Sequence, residues 1–231
     1  DHVVEQLPST DTWGRSFVTV PLATRIGGDT FRIIASQDGT EVAVNGATVA
    51  TINRGQIHEQ LIDGQATITA SNPVLVAQYS NGTSFDNVTS DPFMMLVPPF
   101  EQFLAQYTVT TPASGFRENY INVAVPNAGV GLVTLDGAPI PAGDYTPIGT
   151  SGFSGAQIPV ALGAHNLGGP VPFGVFVYGF DEADYYGYPG GQSFSPIALV
   201  ANITLTPPAE TVLVNTEGCV VARVTDIGGN P

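Results

Sequence analysis

The chain has 231 residues, of which 43% are hydrophobic and 11% charged, and its formal net charge is −14. That much apolar content excludes intrinsic disorder, which needs low hydrophobicity and high charge. All six basic residues are arginine, so nucleic acid and anionic membrane surfaces find little to neutralise their phosphates, and a lysine–asparagine crosslink is impossible.

Glycine (27) and proline (19) punctuate short apolar runs, the distribution expected of many short strands joined by turns. No run is long enough for a transmembrane helix, and no leader peptide is visible, so the chain reads as a mature or excised segment. Long 3.6-period stripes with caps are absent, whereas strand signals are dense. Phe17–Val20 is the first, and Thr30–Ala35 follows the Gly27-Gly28 turn. Glu41–Val44 and Ala47–Ile52 flank Asn45-Gly46, a strong signal for a two-residue hairpin, because both central positions of a type I′ turn need positive φ. Ala66–Ala70 and Val74–Tyr79 complete the first half.

The second half repeats the series. Leu7-Pro8 is matched by Val97-Pro98, Phe17–Val20 by Tyr107–Thr110 and Phe31–Ser36 by Ile121–Pro126, each ninety positions on. Val44-Asn45-Gly46 is matched by Leu135-Asp136-Gly137, and Pro73–Tyr79 by Pro172–Tyr178. A constant order at a nearly constant offset marks a duplication. The expected fold is therefore all-β: two tandem, duplicated β-sandwich-like lobes of about 90 residues, spanning 1–96 and 97–200. Phe93–Val97, apolar at every position, is expected as a buried strand between them.

Residues 201–231 carry Ile203–Pro207, Thr211–Val214 and Cys219–Thr225 and end in Gly228-Gly229-Asn230-Pro231. This looks like the truncated start of a bacterial Ig-like repeat, which implies a piece of a longer, modular surface protein with neighbouring Ig-like domains. The single cysteine, Cys219, permits no disulfide within the chain and reads as a plain buried thiol.

Further markers run in order along residues 5–197. They are Trp13-Gly14, Gly28–Arg32, Ser90–Met94, Pro98–Phe103, Asn119–Asn122, Pro172–Gly174 and Tyr186–Gly191. With these the chain resembles the N-terminal domain family of the IgGFc-binding protein, in its bacterial surface-protein version. The resemblance implies a secreted or cell-surface, all-β, non-enzymatic module. It brings no residue-level binding motif, and an IgG site does not follow from the name.

The candidate site is the stretch fed by the strand Phe173–Phe180. Asp181–Gly191 reads as a wet loop holding Asp181, Glu182, Asp184, Tyr185, Tyr186 and Tyr188. Ser80–Pro92, with Phe85 and Asp86, is its counterpart in the first half. Tyrosine offers large contact area at low entropic cost, which suits a glycan or protein ligand. The alternative is that the tyrosines fold back and stiffen the strand end. Asp181, Glu182 and Asp184 make calcium the one candidate cofactor, since it takes clustered oxygens; the alternative is a solvated acidic loop. Asn81, Asn87 and Asn202 head glycosylation-acceptor patterns without further support.

For catalysis the signals are thin. No Gly-x-Ser-x-Gly elbow, His-Glu-x-x-His or zinc spacing occurs. His58 and His165 read as turn or strand-edge residues. A Ser–His–Asp hydrolase is recognised by geometry, so it awaits the structure. The favoured function is a non-enzymatic adhesion module that recognises an extracellular glycan or protein through its end loops. The alternative is a structural spacer or assembling subunit of a surface fibre or matrix, built through strand edges.

Overall fold

The computed structural model describes residues 3–89, 91–197, 200–206 and 221–226. Residues 1–195 form one compact unit and residues 196–231 a second. In the first unit the strands run β1 (Gly14–Thr19), β2 (Asp29–Ala35), β3 (Thr40–Val44), β4 (Ala47–Ile52), β5 (Ile57–Ile62), β6 (Ala66–Tyr79) and β7 (Met94–Val97). They continue with β8 (Leu104–Thr110), β9 (Glu118–Pro126), β10 (Thr134–Leu135), β11 (Ala138–Pro139), β12 (Thr146–Pro147), β13 (Phe153–Pro159), β14 (Ala164–Asp181) and β15 (Asp184–Pro189). The single α-helical turn among the described residues, α1, is Thr83–Asp86. No helix there is long and apolar enough to cross a membrane.

These strands form two antiparallel sheets with one pairing scheme. In the first, β6 pairs with β1, β2, β3 and β7, while β3 pairs with β4 and β2 with β5. In the second, β14 pairs with β8, β9, β10 and β15, while β10 pairs with β11 and β9 with β13. Register follows the repeat: Phe17 faces Ile68 as Tyr107 faces Leu167, and Phe31 faces Gln78 as Ile121 faces Val177. The duplication is thus built into the hydrogen-bond ladder.

Each sheet curls because its long strand changes partners midway. β6 pairs through 66–70 with β1 and β3, then through 74–79 with β2 and β7. β14 does the same on either side of 169–172. Pro73 in β6, and Pro170 and Pro172 in β14, sit at these bends. A proline has no N–H to give a ladder, so it is tolerated where pairing is broken. Both expected hairpins form, with Asn45 (φ 50°) and Gly46 (φ 81°) in one and Asp136 (φ 52°) and Gly137 (φ 84°) in the other. These are the left-handed angles that Asn, Asp and Gly tolerate best.

The run Phe173–Phe180 is apolar at successive positions because both its faces are covered. Phe173, Val175 and Val177 enter the second half's own core. Phe176, Tyr178 and Phe180 face the other way, into a core shared with Phe17, Ile33, Ile68 and Phe93 of the first half. A strand buried on both faces loses the polar alternation of a half-exposed one. The expected buried strand at 93–97 is β7, with Met95, Leu96 and Val97 buried.

A polar network joins the halves through the segment Val20–Ala23. Gln78 donates to the Val20 carbonyl (3.1 Å), and Asn122 donates to the Pro21 carbonyl (2.8 Å). The Tyr178 hydroxyl donates to Asn122 Oδ1 (2.8 Å) and accepts from the Ala23 N–H (2.8 Å), and burial pushes its pKa up. Asp29 accepts from the Leu22 N–H and from Gln78, both at 2.8 Å.

Burial pushes Asp29 up to about 6, against the opposing pull of Leu22, Gln78 and Arg25. A folded-state pKa above the unfolded value means that the native state holds its proton more tightly. The resulting stabilisation is complete below about pH 4 and disappears as pH rises to about 6. Asp29→Asn should therefore flatten the stability profile between about pH 4 and 7 by roughly 3 kcal/mol, at about 1.4 kcal/mol per pH unit. Urea unfolding of both proteins across that range tests this; parallel profiles would show that Asp29 titrates normally.

The second unit pairs β16 (Val200–Thr206) with β17 (Val221–Asp226) in antiparallel fashion. The expected strand at 211–214, Cys219 and the closing Gly228–Pro231 turn lie outside the described residues.

Candidate functional site

The stretch expected as a loop from Asp181 to Gly191 is mostly strand. β14 and β15 form a hairpin that turns through Glu182 and Ala183, the latter at φ 53°. Gly187 and Gly190 read as loop residues in the sequence, but they serve packing. A Cβ on Gly187 would fall 2.2 Å from the Phe93 ring, and one on Gly190 2.8 Å from Val175.

The tyrosines follow the strand alternation. Tyr185 stacks on Phe93 at 5.9 Å between centroids. Tyr186 lies over Gly179, its pairing partner, and its hydroxyl donates to Asn119 (2.7 Å). The Tyr188 hydroxyl donates to the Thr110 carbonyl (2.5 Å) and accepts from its N–H (3.0 Å). All three are half-buried and fold back onto the sheet.

The acids do not converge. Asp181 binds Arg117 and accepts from the Glu182 N–H (2.7 Å); that backbone bond and then Arg117 hold its pKa below the usual carboxylate value. Asp184 accepts from the next residue's N–H (2.8 Å). Among the described residues, no group of three or more His, Cys, Asp or Glu is placed to hold a metal ion. Asp86, expected in a wet loop, is buried in an ion pair. Arg25 Nη2 lies 2.9 Å from its Oδ1 and Nε 2.8 Å from its Oδ2, with the side chains 2% and 1% exposed.

Arg25 also donates to the Asn81 and Val88 carbonyls and lies over the Phe180 ring at 5.2 Å. It thereby ties the 80–92 segment to the strand that carries the hairpin, so the two expected loops lie together at one pole. Between them is a concavity of about 220 Å³ lined by Val88, Arg117, Phe180 and Asp181. Phe85, 47% exposed, is the one aromatic of the expected set that stands well into solvent.

His165 pairs with Asp136 (Nδ1 to Oδ2, 2.7 Å), and its Nε2 lies 2.8 Å from the Ala161 carbonyl. Both ring nitrogens face acceptors, an arrangement that suits the doubly protonated ring. Burial lowers its pKa, but Asp136 and Ala161 outweigh this and the net shift is upward. A hydrolytic histidine needs its second nitrogen on a nucleophile; here that nitrogen is spent on backbone. His58 contacts Gln60 on β5, and His2 lies outside the described residues.

A larger concavity lies elsewhere, between the halves, with a volume of about 530 Å³. That is within the usual range for small-ligand sites. The first half contributes Ser16, Gln65 and Thr69; the second contributes Phe100, Thr150 and Phe153. Ser16 faces Thr69, and Val18 faces Thr67, across the β1–β6 ladder, so the floor is a sheet face, with β1 as an edge strand paired, among the described residues, to β6 alone. Phe100, 37% exposed, packs on Phe153 with centroids 5.4 Å apart.

Gly155 lets β13 come this close. A Cβ there would meet Val20 at 2.6 Å and Gln65 Nε2 at 3.0 Å. The Gln65 amide donates to the Gly155 carbonyl at 3.4 Å, while its Oε1 is buried without a hydrogen-bond partner. Such an orphaned acceptor costs about 1–3 kcal/mol. No sequence signal marked this cleft, since its residues are ordinary and widely separated.

Architecturally this is a tandem-duplicated β-sandwich protein with a sizeable concavity at the junction of the repeats. A family model described as IgGFc binding protein matches residues 1–179, and the chain belongs to that family. The human IgGFc-binding protein is 26% identical over a 195-residue alignment, which covers 80% of this chain and 4% of that protein. The chain thus spans a small fraction of its relative's length.

Among solved structures, an apo lectin from Pleurotus ostreatus overlays with a TM-score of 0.26 at 11% identity, covering 97% of this chain and 84% of the lectin. An anti-sigma factor domain-containing protein from Clostridium clariflavum gives 0.21 at 9%, covering 76% of this chain and 82% of that one. At such scores neither likeness bears on fold or function.

Proposed function

We propose that the chain is a non-catalytic, extracellular binding module of a longer surface protein, which recognises a glycan or protein at the cleft between its repeats. The observation that carries this reading is the cleft itself: about 530 Å³, open, and walled by both halves. Family membership supports it. The human relative is named for IgG Fc binding, which makes Fc one ligand to test and nothing more.

The pole that carries Phe85 and Asp184 is the competing surface. Beads coated with the full chain should be retained on surfaces bearing glycans or matrix proteins. Retention should fall with Ser16→Ala and Phe100→Ala and persist with Phe85→Ala and Asp184→Ala. The opposite pattern would move recognition to the pole, and beads never retained on any surface, IgG Fc included, would sink the binding-module reading.

A further inference from the structure

The cleft between the repeats has a counterpart. A second concavity, about 370 Å³, is lined by Gln106, Thr108, Gly137, Asn166 and Gly168. By the register of the repeat these stand where Ser16, Val18, Gly46, Thr67 and Thr69 stand in the first half. A hollow that recurs over the same ladder in both copies belongs to the repeat unit. Its floor recurs with the ladder, and the walls of the first copy come from how the halves meet. The copies differ in what has been added to them. The first has aromatic walls from Phe100 and Phe153 and the unpartnered Gln65 Oε1; neither aromatic nor Gln65 has a counterpart in the lining of the second.

The chemistry of the first hollow narrows its ligand. None of its lining side chains is charged, in a chain whose net charge is −14. An anionic ligand would enter a negative field with no arginine to meet it, and a cationic one would find no carboxylate there. The floor is the side-chain face of the β1–β6 ladder, so a ligand seated on it meets hydroxyl, amide and phenyl groups before it meets backbone. What remains are hydroxyl and amide groups beside phenyl rings. These match a molecule with many neutral hydroxyls, which both donate and accept, and with C–H faces that pack on an aromatic ring.

We infer that the cleft between the repeats binds a neutral saccharide. Its ring stacks on Phe100, and one of its hydroxyls donates to Gln65 Oε1. The terminal torsion of glutamine is soft, so a small turn of the amide carries that oxygen to the ligand. The inference rests on reading the chain as a binding module and adds the ligand's class and its anchor.

The test is a printed array of neutral, sialylated and sulfated oligosaccharides probed with the full chain, followed by calorimetry on the best neutral binder. Saturable binding to neutral glycans is expected, with one site per chain. Phe100→Ala and Gln65→Leu should each weaken it about tenfold or more, the order of one lost hydrogen bond or stacking contact. Asn166→Ala, in the second hollow, should leave it unchanged. Circular dichroism and thermal melts confirm that each variant is folded.

Binding confined to sialylated or sulfated glycans would overturn the neutral assignment, and neutral binding indifferent to Phe100 and Gln65 would overturn the site. No glycan binding, with beads still retained on a protein-coated surface, would overturn the saccharide and leave the module reading intact.

Discussion

Asp86→Ala is expected to destabilise the first unit by about 3–5 kcal/mol, the usual consequence of leaving one member of a buried ion pair uncompensated. Arg25 would remain with a side chain 2% exposed and its carboxylate gone. Its contacts to the Asn81 and Val88 carbonyls and to the Phe180 ring soften the loss but cannot neutralise the charge. Val88 would also lose the acceptor for its N–H, which is Asp86 Oδ1 at 3.1 Å.

The pair is also the strut that fixes the 80–92 segment to β14. The variant should therefore become sensitive to protease within residues 81–92 before the rest unfolds. Arg25→Met combined with Asp86→Leu separates charge from packing. If burial of an unpaired charge is the cause, the double variant recovers most of the stability, as apolar replacements of buried pairs often do. Urea denaturation supplies the numbers, and a loss below about 1 kcal/mol for Asp86→Ala would mean that Arg25 reaches solvent.

The misreading of Asp86 as a surface ligand has a simple origin. Aspartate is seldom buried unless paired, and its partner lies 61 positions away, where no local pattern reaches. The hairpin at 181–189 was hidden for a related reason. Tyrosines mixed with Gly187, Pro189 and Gly190 look like a loop, because the glycines' purpose is to admit Phe93 and Val175 from elsewhere in the fold.

Local features were legible. Asn45-Gly46 and Asp136-Gly137 announced their left-handed turns, and the ninety-residue offset announced two copies of one ladder. The offset grows to 99 by β14, as the Phe31–Gln78 and Ile121–Val177 pairs show. The extra residues enter between the equivalents of β4 and β6, where β12 is added. The cleft was invisible for want of any motif. Ser16, Gln65, Thr69, Phe100, Thr150 and Phe153 become a site only when the second half folds over the first.

What holds that arrangement together is the grip on Val20–Ala23, and Asn122→Ala should show its worth, at about 3 kcal/mol. Asn122 is wholly buried on the face of β9 that meets the first half. Its removal deletes the acceptor of the Tyr178 hydroxyl and a donor to Pro21. Pro21 keeps the Gln157 amide at 2.7 Å, and Val20 keeps Gln78. The tyrosine hydroxyl keeps only its contact as acceptor from Ala23, so its proton is stranded in the core.

A buried donor without a partner costs about 1–3 kcal/mol, and the space left by the side chain adds to that. Tyr178→Phe strands the other side of the same contact. The two changes should therefore be strongly non-additive, with a coupling of about 1–3 kcal/mol in a double-mutant cycle. Additive losses would mean that Asn122 and Tyr178 act separately. A measured coupling would show that Asn122 and Tyr178 act as one unit in the second half, the unit that holds Pro21 and Ala23 of the first.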